Sequence, residues 1–214
     1  MFELRDIHVC FGGHHVLDGL NLEVNQSDRL GIYGANGGGK STLINMATGF
    51  VKPNSGTFTF FSQSLLHHAP WAFARFGIAR TFQTSRMQKT MTLGDQLGLT
   101  QKDRSYSRSM IAGTELMNYL DHFADDVPLP ILRQFEIVRA IARNPKILFL
   151  DEPSAGLSDY ELDDLAKQVN QWLHPQCALV VVEHRRRFMN YVTSQIRQLS
   201  NGRLSKPSNQ ALVA

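Results

Sequence analysis

The stretch GANGGGKST, residues 34–42, decides the fold of this chain. It fits the pattern G-x-x-x-x-G-K-[ST], in which glycines allow backbone N–H groups to surround phosphate oxygens. The preceding DRLGIYG (28–34) is typical of a short buried strand, and the following STLINMATG (41–49) is typical of a helix. This order of strand, glycine-rich loop and helix is the setting that the motif requires, and it predicts a phosphate-binding loop.

Each residue type in this loop has a chemical role. Lys40 is expected to reach the terminal phosphates, and the Ser41 hydroxyl to ligate Mg²⁺. The N-terminus of the helix adds about half a unit of positive charge. The alternative, a flexible glycine turn, leaves the Lys-Ser-Thr sequence and both flanks unexplained. The predicted nucleotide-binding residues here are Gly34, Asn36, Gly37, Gly38, Gly39, Lys40, Ser41 and Thr42.

A pair of carboxylates supports this interpretation. The segment KILFLDEP (146–153) is typical of a buried strand, and Asp151 and Glu152 stand at its C-terminal end, where α/β proteins build their sites. Asp151 can hold Mg²⁺ through water, and Glu152 can polarise the water that attacks a γ-phosphate. Two carboxylates alone would suit a helix cap or a solvated turn. Beside a phosphate loop they predict a catalytic site.

The remaining pattern predicts one α/β domain with a mainly parallel sheet, because strands alternate with helices after the phosphate loop. Residues 86–126 are polar and irregular, with helix-like pieces such as TELMNYLDHF. Further strands are predicted at 2–10, 17–24, 55–61, 178–184, 195–200 and 202–205, with a turn at 11–16. Further helices are predicted at 131–143, 158–173 and 185–192, the second of them capped at its start.

Composition limits the possible functions. The chain has 214 residues, 43% of them apolar, and 22 Lys+Arg against 19 Asp+Glu give a net charge of +3. This charge is too small to favour nucleic-acid binding. Cys10 and Cys177 fit no metal-ligand or redox spacing and are expected to be reduced thiols. The N-terminus lacks a signal-peptide core, and the longest apolar runs are too short to cross a bilayer, so membrane parts are expected on other chains.

The order of the motifs resembles that of the ATP-binding subunits of ABC transporters. The phosphate loop is followed by Phe82-Gln83, then FLDEPSAGL (149–157) and VVVEH (180–184), and no guanine-reading N-K-x-D motif occurs. Within that family, GIARTFQ (77–83) with MTLGDQL (91–97) resembles the branched-chain amino acid and urea import ATPases.

The resemblance implies an organisation and a function. It implies an N-terminal antiparallel β subdomain and a small helical subdomain, roughly residues 86–144, within a single ABC ATPase domain spanning 1–214. ATP and Mg²⁺ are the implied cofactors. The implied partners are transmembrane permease subunits, which would place the chain in the cytoplasm at the inner face of the membrane. The transported small molecule would be handled by the complex and not by this chain.

Three further site residues follow from the resemblance. Phe11 is at the position of an aromatic ring that stacks on adenine, worth about 1 kcal/mol, although a core phenylalanine is an equal alternative. Gln83 matches a glutamine that contacts Mg²⁺ and senses the membrane subunit. His184 matches a histidine that donates a hydrogen bond to the γ-phosphate. The other seven histidines show no ligand pattern and are expected on the surface.

Two departures from the family follow the main motifs. Arg185, Arg186 and Arg187 stand where an acidic residue and a methionine are common. They are expected either on a solvated helix face or against acidic residues of a partner chain. Ser158 replaces an aspartate that usually communicates across the ATPase dimer, which puts that contact in doubt.

The family's Leu-Ser-Gly-Gly-Gln-like signature falls on VPLPI, residues 127–131, where no position matches. In the usual dimer, the serine hydroxyl and glycine N–H groups bind the γ-phosphate held by the opposite subunit. Pro128 offers neither group, and Pro130 removes another N–H donor. Asp125 and Asp126 add negative charge, and each lost charge-assisted hydrogen bond costs about 1.5–3 kcal/mol. The segment is nevertheless a good helix start, since proline suits the first turn.

These features predict an asymmetric dimer with a second ABC ATPase that has an intact signature. In it, this chain hydrolyses ATP at its own phosphate loop, whereas the partner's nucleotide meets residues 127–131 and turns over slowly or not at all. An alternative is a nucleotide-dependent regulatory or scaffold protein without net transport, although such a protein has little use for Glu152 and His184. A homodimeric ATPase would have two signature segments that cannot bind the γ-phosphate of the opposite subunit, so it is the least favoured of the three hypotheses.

Overall fold

A computed structural model describes residues 1–98, 104–206 and 208–209. Eleven strands and seven α-helices occur in this part of the chain. The strands are β1 (Phe2–Phe11), β2 (His14–Val24), β3 (Arg29–Tyr33), β4 (Ser55–Phe60), β5 (Gln63–Ser64), β6 (Ile78–Arg80), β7 (Ile147–Asp151), β8 (Ala178–Val182), β9 (Gln195–Ser200), β10 (Arg203–Leu204) and β11 (Ser208–Asn209). The helices are α1 (Lys40–Ala47), α2 (Pro70–Phe76), α3 (Leu93–Gly98), α4 (Arg104–Ile111), α5 (Leu129–Ile141), α6 (Asp159–Trp172) and α7 (Arg186–Val192).

The N-terminal part forms an antiparallel sheet of four strands in the order β2-β1-β4-β5. The predicted turn at 11–16 is too long, because both strands extend into it and leave only Gly12 and Gly13 between them. Both glycines have positive φ, 53° and 85°. Such backbone angles allow a two-residue hairpin turn that matches the twist of the strands.

The central sheet is mainly parallel, as predicted. Its order is β10-β9-β3-β8-β7-β6, with parallel pairing from β9 through to β6 and an antiparallel β10 at the edge. The carboxyl ends of β3, β8, β7 and β6 therefore meet at one edge of the sheet. The segments that follow these strands lie at that edge, and they carry the phosphate loop and the predicted catalytic residues.

Apolar side chains cover both faces of this sheet. Phe149 packs with Phe2 and the rest of the N-terminal sheet and α1, whereas the adjacent Leu150 packs with Phe135 and Phe188 among helices α5, α6 and α7. Neighbouring residues in a strand point to opposite faces, so β7 must be apolar throughout. This requirement explains why polar and apolar residues do not alternate in the strand part of KILFLDEP.

The polar region 86–126 contains more regular structure than its sequence predicts. It includes α3, α4 and two short 3₁₀ segments at Glu115–Tyr119 and Ala124–Asp126. Helix α2 and strand β6 were not predicted either, since each is short and gives little periodicity. Among the residues described, no helix is long and apolar enough to cross a bilayer.

Helix α6 starts at a capping box, as its sequence predicts. Ser158 is the N-cap, its side chain accepts a hydrogen bond from the Glu161 N–H at 3.4 Å, and the Glu161 carboxylate accepts from the Ser158 N–H at 2.7 Å. Ser158 therefore has a structural role in its own chain, whatever the family aspartate does across a dimer.

Ser158→Ala is expected to lower the free energy of unfolding by about 1 kcal/mol, because it leaves an N–H of the first turn without its acceptor. Ser158→Thr keeps the hydroxyl and is the matched control, with a smaller loss. Urea unfolding followed by circular dichroism measures both. Equal losses in the two variants would contradict a capping role for the hydroxyl.

Candidate active site

The phosphate loop joins the end of β3 to the start of α1. Gly39 is the N-cap of α1 with φ 92°, and a Cβ there would lie 3.0 Å from the Val16 carbonyl oxygen. A Cβ at Gly34 would lie 2.4 Å from the Leu199 carbonyl oxygen. Only glycine fits these two positions, so the loop can lie against neighbouring backbone while its N–H groups stay available.

Lys40 is the first residue of α1, and its side chain curls back over the loop. Its ammonium group donates to the carbonyl oxygens of Gly34 at 2.9 Å and Ala35 at 2.8 Å, and the residue is only 5% exposed. Ser41 is exposed and Thr42 is half-buried on the next positions of α1. Asn36, Gly37 and Gly38 lie in the loop itself, so the predicted phosphate-binding residues form one continuous turn around Lys40.

Asp151 ends β7 and is buried, with one carboxylate oxygen satisfied and the other not. Oδ2 accepts from Arg80 Nη2 at 3.2 Å, whereas Oδ1 has no hydrogen-bond partner. Burial raises the pKa of Asp151, while the charge of Arg80 opposes this shift. A buried carboxylate oxygen without a donor fits a water molecule on a metal ion, as the predicted Mg²⁺ role requires.

Arg80 is a site residue that sequence reasoning missed. Besides Asp151, its guanidinium donates to Asn45 Oδ1 at 2.7 Å and to Thr48 Oγ1 at 3.0 Å, both associated with α1. Burial lowers its pKa to about 10, which leaves it charged at neutral pH. The available signal was an arginine inside the otherwise apolar segment just before Gln83.

Glu152, Gln83 and His184 come from three different strand ends and meet at one point. Gln83 Nε2 donates to Glu152 Oε2 at 2.8 Å, and His184 Nε2 lies 3.1 Å from Glu152 Oε1. The Glu152 side chain is 17% exposed, and its backbone has φ 48°. This left-handed conformation is costly for glutamate and is held by the surrounding contacts. The three predicted catalytic side chains thus form one cluster.

Glu183 is a second residue that the sequence did not reveal. It is 2% exposed and accepts hydrogen bonds from the N–H groups of His184 at 2.6 Å, Arg185 at 3.0 Å and Ser154 at 3.0 Å, and from the Ser154 hydroxyl. Its carboxylate therefore fixes the backbone at His184 relative to the segment after Glu152. An acidic residue at the end of the VVV run was the available signal.

Arg133 links helix α5 to this cluster. Its Nη2 donates to the Gln83 carbonyl oxygen at 2.9 Å, and its Nη1 pairs with Glu136 at 3.0 Å in a buried position. A shift of α5 would therefore move the backbone at Gln83.

Residues 127–131 form the start of α5, as predicted. Pro128 is the N-cap and makes no side-chain capping bond, while Leu129 is 40% exposed. Neither Pro128 nor Pro130 has an N–H, so two potential anion donors are absent from the first turn. Asp125 pairs with Lys89 at 2.9 Å, so part of the negative charge expected beside this segment is balanced.

The three consecutive arginines all contact their own chain, and Arg186 and Arg187 are exposed on α7, as expected for a solvated helix face. Arg185 donates to the Leu157 carbonyl oxygen at 2.5 Å and pairs with Asp159, and Arg187 pairs with Asp163 at 2.5 Å. Arg186 lies 4.8 Å from the Tyr33 ring centroid. Acidic residues 159 and 163 occupy one face of α6, next to α7, and this intrachain match explains the arginine run.

Phe11 and the histidines outside the catalytic cluster lie in other settings. The Phe11 side chain is 51% exposed at the end of β1, which offers a ring surface for stacking. The sequence showed no ligand pattern for the other histidines, but the structure brings His8 and His15 close to Asp18. These two and Asp18 bring three potential ligand atoms within 4.8 Å of one another. The spacing of these residues did not predict this, because a β-bulge brings them together.

A cavity of about 470 Å³ lies between α2, β6 and α5, behind the Arg80 side chain. Aromatic rings of Phe50, Phe73 and Phe82 line it together with Arg139 and Arg143. It is an apolar pocket with a positively charged border, separate from the phosphate loop.

Arg80→Met is expected to destabilise the protein by about 3–5 kcal/mol, because it leaves Asp151 buried without its counter-charge. The double variant Arg80→Met/Asp151→Asn removes both charges and should recover much of this loss. Arg86→Met is the matched control, since exposed Arg86 contacts the Phe82 ring 3.9 Å from its centroid and should cost no more than about 1 kcal/mol. Chemical unfolding of these variants and of Asp151→Asn alone measures the coupling, and a double-variant loss equal to the sum of the two single losses would contradict the pair.

Comparisons with known proteins agree with this geometry. A family model described as "ABC transporter" matches residues 17–155. The high-affinity branched-chain amino acid transport ATP-binding protein LivG of Escherichia coli is 30% identical over 94% of this chain and 91% of that protein. The corresponding protein BraF of Pseudomonas aeruginosa is 28% identical over 94% and 89%.

Solved structures give the same result for the fold. A nucleotide-free ATP-binding cassette from an ABC transporter superposes with a TM-score of 0.88 at 26% identity, covering 98% of this chain and 91% of that chain. An ATP-binding cassette in its ADP conformation gives 0.86 at 27% identity with the same coverage. The protein is therefore a member of the ABC transporter ATP-binding family.

Proposed function

We propose that this chain binds and hydrolyses ATP and thereby drives a small molecule through separate membrane subunits. The observation that carries this proposal is the meeting of Gln83, Glu152 and His184 at the sheet edge that also bears the phosphate loop. A protein that only binds nucleotide needs the loop but not a carboxylate held from both sides.

The chemistry follows from the positions of these groups. Loop N–H groups and Lys40 bind the phosphates, and the Phe11 ring stacks on adenine. Glu152 accepts a hydrogen bond from the attacking water and orients it, while Gln83 and His184 fix the carboxylate. His184 also donates to the γ-phosphate as negative charge develops there. Ser41, Gln83 and Asp151 would hold Mg²⁺, which supplies charge neutralisation at the phosphates.

The start of α5 supports an asymmetric dimer. A helix N-terminus binds phosphate through its free N–H groups, and here prolines at 128 and 130 remove two of them and the serine hydroxyl. The partner is therefore a second ABC ATPase with an intact signature. In the dimer that signature completes the site of this chain, whereas residues 127–131 face a nucleotide that the partner turns over slowly.

Membrane subunits are the second class of partner in this proposal. The segment 86–144 acts as a helical subdomain inserted in the single domain 1–214, and Arg133 couples its helix α5 to Gln83 at 2.9 Å. The aromatic, positively bordered cavity beside this segment suits an amphipathic helix of a permease. The chain then works on the cytoplasmic face of the membrane. Similarity to LivG and BraF suggests branched-chain amino acids or a related small molecule as cargo.

Lys40→Ala and Glu152→Gln are expected to abolish ATP hydrolysis in the complex with the partner ATPase. Lys40→Ala should also weaken ATP binding, because it removes a cation from the phosphates, whereas Glu152→Gln should leave binding intact. Phosphate release and nucleotide-binding assays on the complex separate these effects. A complex indifferent to Glu152→Gln would show that this chain is not its catalytic half and would favour the regulatory or scaffold alternative.

The chain alone is expected to show little turnover, and restoring the lost donors should change that. Pro128→Ser/Leu129→Gly/Pro130→Gly returns a hydroxyl and two N–H groups, and should raise turnover by the isolated chain at least about tenfold, since each restored bond contributes about 1.5 kcal/mol or more. Adding Lys40→Ala must remove the gain. Substantial turnover by the wild-type chain alone would contradict the asymmetric dimer.

A further inference from the structure

The hairpin of β1 and β2 contains a β-bulge that changes which side chains share a face. His8 pairs with Asp18 and Val9 with Leu17, but Cys10 pairs with His15, so Val16 is an extra residue on β2. The bulge shifts the alternation by one residue. His15 therefore lies on the same face as Asp18, and His8 and Cys10 on β1 share that face.

The side chains of His8, His15 and Asp18 converge, and Cys10 contacts one of them. His8 Nδ1 lies 3.1 Å from Asp18 Oδ1, His15 Nδ1 lies 3.9 Å from the same oxygen, and Cys10 Sγ lies 3.1 Å from His15 Nδ1. In a tetrahedral zinc site, bonds of about 2.0–2.3 Å place ligand atoms about 3.3–3.8 Å apart. The ligand atoms of His8, His15 and Asp18 all lie within 4.8 Å of one another, so small movements of these three side chains suffice to surround an ion. Cys10 Sγ lies outside this group and must move toward it to become a fourth ligand.

Two neighbouring residues orient these groups from outside. Asp6 Oδ1 lies 3.1 Å from His8 Nε2 and so holds the ring with Nδ1 toward Asp18. Arg203 on β10 donates to Asp18 Oδ2 at 3.1 Å and to the Asp18 carbonyl oxygen at 2.8 Å, which leaves Oδ1 facing the histidines. The hydrogen bond from Arg203 also lowers the pKa of Asp18. A carboxylate behind a ligating histidine is the usual support of a metal site.

We propose that His8, His15 and Asp18 bind a divalent transition-metal ion of the Zn²⁺ type, and that the Cys10 thiolate joins them as a fourth ligand after rotation of its side chain. Imidazole, thiolate and carboxylate together suit Zn²⁺ and not Mg²⁺, which prefers oxygen ligands. The site is separate from the Mg²⁺ position at Ser41 and Asp151. Its affinity does not depend on ATP hydrolysis by this chain.

The position of the group suggests what the ion does. Cys10 directly precedes Phe11, and the ligands come from both strands of the hairpin that ends there. An ion bound across the two strands fixes the hairpin and with it the Phe11 ring. Metal binding is then linked to the stability of the hairpin, because an ion that binds only the folded form stabilises it.

Zn²⁺ titration of EDTA-treated protein without nucleotide, followed by calorimetry, tests the proposal. The wild type is expected to bind one equivalent of Zn²⁺ and to unfold at a higher temperature in its presence. His15→Gln and His8→Ala should each lower the affinity more than about tenfold, and Asp6→Asn about 10–100-fold. His15 is 60% exposed in its side chain, so His15→Gln should fold normally. His14→Gln removes a neighbouring exposed imidazole outside the group and should bind as the wild type does.

Co²⁺ tests the role of the thiolate. Wild-type protein loaded with Co²⁺ should show a thiolate charge-transfer band that Cys10→Ser lacks, because the buried Cys177 lies in a different part of the fold. Failure of the wild type to bind Zn²⁺ would overturn the site. An equal loss of Zn²⁺ affinity in His14→Gln and His15→Gln would also overturn it, as would an unchanged affinity in His8→Ala and His15→Gln. His8 would then only bridge the carboxylates of Asp6 and Asp18 through hydrogen bonds.

Discussion

The buried ion pair between Arg80 and Asp151 connects the elements on which the site depends. Arg80 belongs to β6, Asp151 to β7, and the same guanidinium contacts Asn45 of α1 and the adjacent Thr48. Two charges removed from water are stable only when both are well paired. The pair therefore fixes the position of the strand before Gln83, the strand before Glu152 and the helix of the phosphate loop relative to each other. Glu183 has the matching role directly after β8, where its carboxylate fixes the backbone of His184 and Ser154.

The sequence predicts the parts of the molecule whose chemistry is local. The phosphate loop, the apolar strand before Asp151 and the capped start of α6 depend on neighbouring residues, and each is in its predicted place. The parallel sheet follows from the alternation of strands and helices. Arg80 and Glu183 escaped prediction because their partners lie 71 and 29 residues away. The group around His8 escaped because one extra residue, Val16, reverses the face on which His15 lies.

The N-termini of helices α1 and α5 differ in the groups that they offer to an anion. Glycine at 39 leaves the start of α1 open to an anion, and prolines at 128 and 130 remove donors from the start of α5. Both helices form well, since glycine and proline each suit a first turn for different reasons. Helix stability and anion binding are thus separable properties of a helix N-terminus. A helix start can therefore lose N–H donors without loss of the fold.

The contacts of Lys40 have a consequence for how nucleotide enters. Its ammonium group is already out of water and bonded to two carbonyl oxygens of its own loop. When a phosphate arrives, the lysine therefore exchanges two carbonyl acceptors for more strongly charged phosphate oxygens. Much of the dehydration of the lysine has already taken place during folding. Such preorganisation lowers the free energy that binding must spend on ordering the side chain. The discrimination of this loop between phosphate and other anions then depends mainly on how many N–H groups the anion can reach at once.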